Sequence, residues 1–196
     1  MSKVTIQGDA SGTGIFTIAS PNSNTDRTLT LPDEAGTIDT LQRAGNVLQV
    51  VNGSSSTQVT GTSTAYTSIG LSASITPSIA TSKLLIIVSF NAYVETLQTI
   101  DEAYAAFDIY NGSSSIAESG ITNRWGNSSS AGRIQADMNM HAYIDASSTS
   151  SRTYTVRGKV FNGSDYRYIA MPDFVYFSAA LPINNTGHIT ILEIAA

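Results

Sequence analysis

The chain has 196 residues, a formal net charge of −5 and no cysteine. Charged residues make up only 13% of it, about half of their share in an average soluble domain, whereas hydrophobic residues make up 41%. The absence of cysteine excludes disulfides and thiolate metal sites, and the lack of a Lys/Arg cluster argues against nucleic acid as a partner. The length suits one domain, alone or with a small appendage.

Serine, threonine, asparagine and glycine take up the share that charged residues leave. This composition favours β-strands with hydroxyl-rich outer faces and tight turns, because solvent-facing helices depend on Glu, Lys and Arg. The best helical candidate, residues 94–106, allows only about two turns and is interpreted as a connection. We therefore predict an all-β protein.

No segment of the sequence has the features of an export signal or of a membrane span. The first residues, MSKVTIQGDASG, lack the apolar region of a secretory signal peptide. The longest apolar run, Leu84–Val88, is far too short to span a bilayer. We expect a soluble protein that does not insert into membranes and is not exported by the general secretory route.

The first 44 residues contain three short strand-like segments, at 4–7, 15–19 and 28–31, separated by glycine and proline. A segment of this length rarely buries enough surface to fold without metals, disulfides or partners. It nevertheless carries apolar side chains that need cover: Ile15, Phe16, Ile18, Leu29, Leu31 and Ile38. We expect these side chains to form an interface in which equivalent strands from several chains bury one another around a common axis.

Residues 45–196 are predicted to form a separate head domain with about eight longer strands. Alternating segments occur at 47–51, 65–71, 84–94, 104–110, 134–144, 153–161, 166–169 and 188–194. Antiparallel strands in this number usually close into a two-sheet sandwich or a jelly roll. Asn-Gly pairs at 52–53, 111–112 and 162–163 predict hairpin turns, because the pair tolerates positive φ angles.

Two segments of the head are apolar on both faces. The segment LLIIVSFNAYV, residues 84–94, begins with apolar residues at every position. In HITILEIAA, Ile189 and Ile191 point one way, whereas Leu192 and Ile194 point the other. One face of such a strand covers the core, so the other is expected to lie against a neighbouring subunit.

The N-terminal segment GTGIFTIASPNSNTDRTLTLPDEAGTI resembles the fibre-type segment common in structural proteins of tailed bacteriophages. The shared pattern is a glycine, an alternating strand, Ala/Ser-Pro, an Asn/Ser-rich turn and then R-T-L-T-L-P-D-x-x-G-T-I. Its residues in this chain are Pro21, Asn22, Arg27, Thr28, Leu29, Thr30, Leu31, Pro32, Asp33, Gly36, Thr37 and Ile38. The stretch VTGTSTAYTSIGLSASITPSIATSKLLIIVSF also resembles the opening of C-terminal domains on such fibres.

The resemblance implies a homotrimer in the virion, made in the host cytoplasm. Residues 1–44 would form an intertwined β stem or attachment arm, and residues 45–196 an outward-facing antiparallel β-sandwich head with a jelly-roll-like fold. The implied function is that of a non-enzymatic tail fibre or receptor-binding appendage. The alternative is a capsid decoration, cement or head-fibre protein that stabilises the shell. Its partners would be copies of itself, other tail or capsid proteins, and a glycan or protein on the host surface.

Aromatic residues beside an arginine form the candidate contact site of the head. Trp125 lies in NRWGNSSS, and Tyr166, Arg167 and Tyr168 lie together in SDYRYIAMPDF. Exposed aromatic side chains with arginine suit a receptor or saccharide contact. The same residue types also suit packing at a subunit interface, and the sequence leaves both interpretations open.

No motif predicts a catalytic, cofactor-binding or metal-binding residue. The two histidines, His141 and His188, lie in strand-like segments without declared partners and are interpreted as ordinary strand residues. Carboxylates at Asp101–Glu102, or at Asp137 and Asp145, would have to pair in space for a tailspike-type glycan hydrolase. The size of the chain and the lack of a coil-length repeat disfavour that third hypothesis. We expect no enzyme activity, no cofactor and no metal.

Overall fold

The structure is a computed structural model whose described part lies mostly beyond residue 42. It describes residues 11–13, 15, 17, 22, 24–26, 28, 43–97, 102–124, 132–172, 174–176, 180–182 and 185–196. The chain divides into two compact units, Met1–Ile38 and Asp39–Ala196. Scattered residues of the first unit are described, and among them the Ile15 side chain is 92% exposed. All strands described below belong to the second unit.

The regular structure of the described residues consists of twelve β-strands and contains no helix. The strands are Val47–Ser55 (β1), Val59–Gly61 (β2), Thr67–Ile75 (β3), Lys83–Thr96 (β4), Glu102–Tyr110 (β5), Ser115–Arg124 (β6), Arg133–Asp145 (β7), Arg152–Val160 (β8), Tyr166–Ala170 (β9), Phe174–Tyr176 (β10), Ala180–Pro182 (β11) and Gly187–Ile194 (β12). The prediction of an all-β protein is confirmed.

All of these strands except β10 and β11 form two antiparallel sheets. Sheet A contains β1, β2, β4, β7, β9 and β12, and sheet B contains β3, β5, β6 and β8. The main pairings are nested: β1 pairs with β12, β3 with β8, β4 with β7, and β5 with β6. A long hairpin rolled up on itself gives this nesting, which is the topology of a jelly roll. The arrangement fits the predicted antiparallel β-sandwich.

One strand position in sheet A is filled by two strands placed end to end. β9 pairs with residues 92–96 of β4, and β12 pairs with residues 83–89 of the same strand. Between them the chain leaves the sheet at Met171, which has a φ of 52° and donates its N–H to the Asn91 carbonyl over 2.8 Å. The chain returns to the sheet at Gly187, after an excursion that contains the β10–β11 hairpin.

Aromatic side chains fill the centre of the sandwich. Phe107 of β5 is fully buried and makes edge-to-face contacts with Phe90, at a centroid distance of 5.1 Å, and with Tyr168, at 5.4 Å. Gly158 lies opposite Phe107 in the pairing of β5 with β8, and a Cβ at Gly158 would lie 2.9 Å from carbons of Phe107 and Tyr168. The lack of a side chain at Gly158 lets the rings meet. Each aromatic contact of this kind contributes about 0.5–1.5 kcal/mol beyond burial.

The three Asn-Gly pairs occupy three different environments. Gly53 lies inside β1, where a Cβ would come within 1.9 Å of the Ser72 carbonyl oxygen of sheet B. The predicted hairpin turn at this pair is therefore wrong, and the glycine serves the close approach of two backbones. The pair at 111–112 forms the predicted turn between β5 and β6, with a φ of 95° at Gly112. The pair at 162–163 lies in a connection from sheet B to sheet A, which is not a hairpin.

A buried carboxylate fixes β12 to β1 and to the loop between β3 and β4. Glu193 is fully buried, and its oxygens accept hydrogen bonds of 2.5–3.0 Å from the Gln49 side chain, the Ser82 hydroxyl, and the backbone amides of Ser78 and Ile79. Burial by itself would raise the pKa of Glu193, but these hydrogen bonds outweigh it and lower that pKa to about 2. The described donors are all neutral, so hydrogen bonding keeps this carboxylate ionised.

Candidate functional site

The centre of the outer face of sheet B carries small side chains and is flanked by larger ones. In the register of β6 and β5, Gly120 lies beside Ala106 and Thr122 lies beside Tyr104. In the register of β5 and β8, Ala106 lies beside Lys159. Since alternate residues of a strand point to opposite faces, these side chains share the outer face. Gly120 and Ala106 leave a depression there because they carry little or no side chain.

The depression is a cavity of about 250 Å³, which we call the trough. Its lining residues are Tyr104, Ala105, Ala106, Gly120, Thr122, Lys159, Val160 and Phe161. Phe161 is 80% exposed, and its ring stands edge-to-face to Tyr104 at a centroid distance of 6.2 Å. The Tyr104 hydroxyl donates a hydrogen bond of 2.5 Å to Glu102. The trough therefore combines two aromatic rings with a floor of small residues.

An ion pair with an aromatic neighbour lies on the same face. It occupies the next outward-facing pair of positions in the register of β5 and β8, Asp108 and Arg157. The buried Asp108 carboxylate accepts two hydrogen bonds from Arg157, one from Nε over 3.0 Å and one from Nη2 over 2.5 Å. The guanidinium of Arg157 also lies 3.6 Å from the centroid of the Tyr110 ring. Hydrogen bonding to Asp108 raises the pKa of Arg157. This two-point contact holds β5 and β8 in a defined position beside the trough.

Lys159 lines the trough on the side of this ion pair. Its Nζ is 4.2 Å from the centroid of the Tyr66 ring. Burial, together with the negative charges of Glu118 and Asp108, raises the pKa of Tyr66 to about 12, so the ring stays neutral and offers the ammonium group a cation–π contact. Within the described part of the chain, Lys159 forms no ion pair. Its ammonium group therefore remains available to a ligand in the trough.

The outer face of sheet A is apolar at the end where β1 and β12 lie. Val50, Leu192, Leu85 and Tyr143 form one row across four neighbouring strands. Ile87 lies on the same side of β4, and Val50, Tyr143 and Ile87 are exposed. We call these five residues the apolar face of sheet A. The prediction that β4 and β12 are apolar on both sides is confirmed here, whereas the neighbouring subunit that would cover them stays a prediction.

The other end of the same face is charged. Glu95, near the end of β4, is almost fully buried and accepts hydrogen bonds from Nε of Arg133 over 2.6 Å and Nε of Arg167 over 2.5 Å. Burial favours a higher pKa for Glu95, but the two arginines outweigh it and lower the pKa. This end of sheet A therefore satisfies its charges within the chain.

The residues of the predicted contact site are separated by the structure. Tyr166 and Tyr168 lie in β9 and are 7% and 1% exposed, so the prediction that these two rings are exposed is wrong. The physical reason is strand alternation: Tyr168 faces the core ring of Phe107, whereas Arg167 faces outward and pairs with Glu95. The two tyrosines are core residues, and Arg167 belongs to the charged end of sheet A.

Some predicted residues lie outside the part of the chain that the structure describes. These are Trp125 of the candidate contact site, Phe16, Ile18, Leu29, Leu31 and Ile38 of the predicted stem interface, and Asp101 of the carboxylates considered for catalysis. Ile15 is described and exposed. Its burial between chains stays a prediction.

The residues considered for catalysis do not converge. Asp137 and Asp145 are eight residues apart on β7, which is about 26 Å along a strand and far more than the roughly 5–9.5 Å between glycosidase carboxylates. Asp145 instead pairs with Lys83. His141 and His188 are exposed on the outer face of sheet A. No group of three acidic or histidine side chains among the described residues is placed to hold a metal ion.

Sequence reasoning overlooked the trough, although one signal for it was present. In the segment 153–161, the odd-numbered positions hold Arg157, Lys159 and Phe161, whereas even-numbered positions such as Val160 are apolar. Strand alternation therefore places Phe161 on the face of the charged residues rather than in the core. An aromatic residue at such a position indicates a surface contact.

Comparison with known proteins gives no family assignment. No model of a protein family matches the chain, and no curated protein matches its sequence. Across the residues that the structure describes, no helix combines the length and the apolar character needed to cross a bilayer. The function must therefore be inferred from the chemistry of the two outer faces and from the N-terminal segment.

Proposed function

We propose that the chain is a non-enzymatic virion structural protein of a tailed bacteriophage. It acts as a homotrimeric tail fibre or receptor-binding appendage, in which residues 1–44 form the shared stem and the jelly-roll unit forms the head. The phage class comes from the resemblance of about residues 8–40 to fibre-type segments. The observation that carries the proposal is the apolar face of sheet A, because it supports a head that is covered by other copies of the chain.

The apolar face of sheet A suits contact with an identical chain. Its row of Val50, Leu192, Leu85 and Tyr143 crosses four strands, and the Lys83–Asp145 ion pair marks its border. Each Å² of apolar surface removed from water contributes about 25 cal/mol, and a flat sheet face lets identical faces approach closely. Three copies around an axis would cover these side chains in each head.

Trimerisation through sheet A would leave the outer face of sheet B free. The two outer faces lie on opposite sides of the sandwich, so the trough remains open to solvent when sheet A is covered. Three identical heads then give avidity for a repeated surface without any new contact in each head. The role is mechanical and multivalent, and it requires no chemical step.

The mass of the full chain in solution tests the trimer. Light scattering is expected to give three times the 20.7 kDa of one chain. A stable monomer at micromolar concentration contradicts the stem and the head contact together. Incubation with host polysaccharide tests the non-enzymatic role, because release of reducing ends would show a glycan hydrolase instead.

Imaging of virions that carry a label on this protein tests the location. A label on the tail supports the fibre or receptor-binding role. A label spread over the capsid supports the alternative of a decoration or cement protein, in which the apolar face of sheet A would contact the shell.

A further inference from the structure

We propose that the trough on the outer face of sheet B binds one ring of a saccharide, with Phe161 and Tyr104 as aromatic contacts and Lys159 as the polar contact. The inference rests on the proposed function only for the source of the saccharide, which would be the host surface. The site itself lies within one chain and does not require the trimer.

The size of the trough matches a single ring. Its volume of about 250 Å³ is below the roughly 300–1,000 Å³ of pockets that enclose drug-sized ligands. The floor at Gly120 and Ala106 carries at most a methyl group, so a flat ligand can lie close to the strand backbones. The remaining rings of an oligosaccharide would extend into solvent, because the trough holds one ring and its lining residue Phe161 is largely exposed.

The lining of the trough matches the two kinds of surface on a sugar ring. A pyranose has faces of C–H groups, whose partial positive charge is attracted to the negative face of an aromatic ring, and a rim of hydroxyl groups. Phe161 and Tyr104 supply the aromatic surfaces, and the Thr122 hydroxyl and the Lys159 ammonium are available for the rim. A purely aliphatic ligand would leave the Lys159 charge unused.

The surroundings of the trough hold these contacts in place before a ligand arrives. Arg157 and the buried Asp108 form a two-point ion pair between β5 and β8, the strands that carry Tyr104 and Lys159. Lys159 is further oriented by the Tyr66 ring at 4.2 Å. Because the strands and Lys159 are already held in position, binding requires less ordering of these parts of the site.

The first experiment titrates the full chain by calorimetry with a panel of neutral and acidic oligosaccharides from bacterial cell surfaces. We expect at least one member to bind with a Kd of about 1 mM or tighter. Failure of every member to bind at that concentration overturns the inference. Hydrogen exchange on the complex is expected to show protection at the amides of Ala106, Gly120 and Lys159, and protection confined to other strands also overturns it.

A variant series then tests the aromatic contact with the oligosaccharide that binds tightest. Phe161→Leu keeps an apolar side chain but removes the ring, so we expect binding to weaken at least about tenfold. Phe161→Trp keeps a ring and should bind within about threefold of the parent. His188→Leu is the matched control, because it also replaces an exposed ring by leucine, on the outer face of sheet A and outside the apolar face, and should leave binding unchanged. Equal binding by Phe161→Leu and the parent overturns the role of the ring and indicates an aliphatic contact.

A second variant closes the trough without touching its rings. Ala106→Leu fills the floor, so we expect at least about tenfold weaker binding with an unchanged unfolding midpoint. Unchanged affinity in Ala106→Leu contradicts the site. Light scattering on the same samples separates this inference from the proposed function, because a trimer that binds no saccharide contradicts only the inference. A monomer that binds saccharide contradicts only the trimer.

Discussion

The two outer faces of the jelly-roll unit are built on similar strands, but their side chains differ in the contacts that they make within the chain. On sheet A, the apolar face consists of four aliphatic residues and Tyr143, and three of the five, Val50, Ile87 and Tyr143, are exposed. On sheet B, the corresponding surface carries the Asp108–Arg157 ion pair and a Lys159–Tyr66 contact, all within one chain. The apolar face therefore gains from cover by another chain, whereas the outer face of sheet B is already ordered.

This difference indicates that the two outer faces suit different kinds of contact. Charged residues make up only 13% of the sequence, and several lie in fixed pairs on the outer faces rather than scattered over the surface. A face without charge suits a permanent contact, because burying it involves no ionic desolvation. A face with fixed charges and an open trough suits a ligand that must be recognised and released. Three changes, in order of decreasing expected effect, test this distinction between the faces.

Removal of the arginine on sheet B is expected to have the largest effect. Arg157→Ala leaves the Asp108 carboxylate buried without its cation, and breaking such a pair from one side costs about 3–5 kcal/mol of unfolding free energy. Lys159→Ala on the same strand is the control, and we expect it to change the unfolding free energy by at most about 0.5 kcal/mol. Urea unfolding measures both. Equal stability of the two variants would mean that the ion pair does not order this face.

Acid is expected to lower the free energy of unfolding by protonating Glu193 of β12, a strand of sheet A. The pKa of this residue is about 2 in the folded chain, against an ordinary value of 4.5, so the ionised form is favoured by folding. Its contribution to stability is therefore complete above about pH 4.5 and is lost as the pH falls towards about 2. Glu193→Gln cannot titrate, so its urea midpoint should change less than that of the parent over this range. Parallel pH profiles of the parent and the variant would show that Glu193 does not control acid stability.

A single charge on the apolar face of sheet A is expected to weaken the trimer. Ile87→Asp places a carboxylate without a partner in the proposed contact, so dissociation should occur at roughly tenfold higher protein concentration or more. Ser72→Asp is the matched control, because it adds the same charge to an exposed position on the outer face of sheet B. Light scattering over a dilution series measures both. Dissociation of the two variants at the same concentration would remove the distinction between the faces.

Local patterns in the sequence predicted most of the strands of the head. The alternation of residues 84–94 gave β4 nearly to its ends, because one side of this strand faces the core over its whole length. β6 was not predicted, since Glu118 and Gly120 interrupt its apolar pattern and its outer side faces solvent and the trough. The stem lies mostly outside the described residues, so its predicted interface stays a prediction.

Features that depend on distant parts of the chain could not be read from local patterns. The Asn-Gly pair at 52–53 predicted a turn, but the position of Gly53 is set by Ser72 of the opposite sheet. Tyr168 was predicted to be an exposed contact residue, but the pairing of its strand with β4 places the ring in the core. Asp108 and Arg157 become partners only through the register of β5 and β8. In each case the deciding contact joins strands that are not neighbours in sequence.

The interruption between β9 and β12 has a consequence for engineering the protein. Met171 and Gly187 are the two points where the chain leaves and rejoins sheet A, and both lie beside Phe90 and Asn91 of one strand. Because the exit and the return are neighbours in space, the number of residues between them does not set the register of either strand. A change in the length of the chain between Met171 and Gly187 should therefore leave the pairing of β9 and β12 with β4 unchanged, which makes this excursion a place where a peptide can be added.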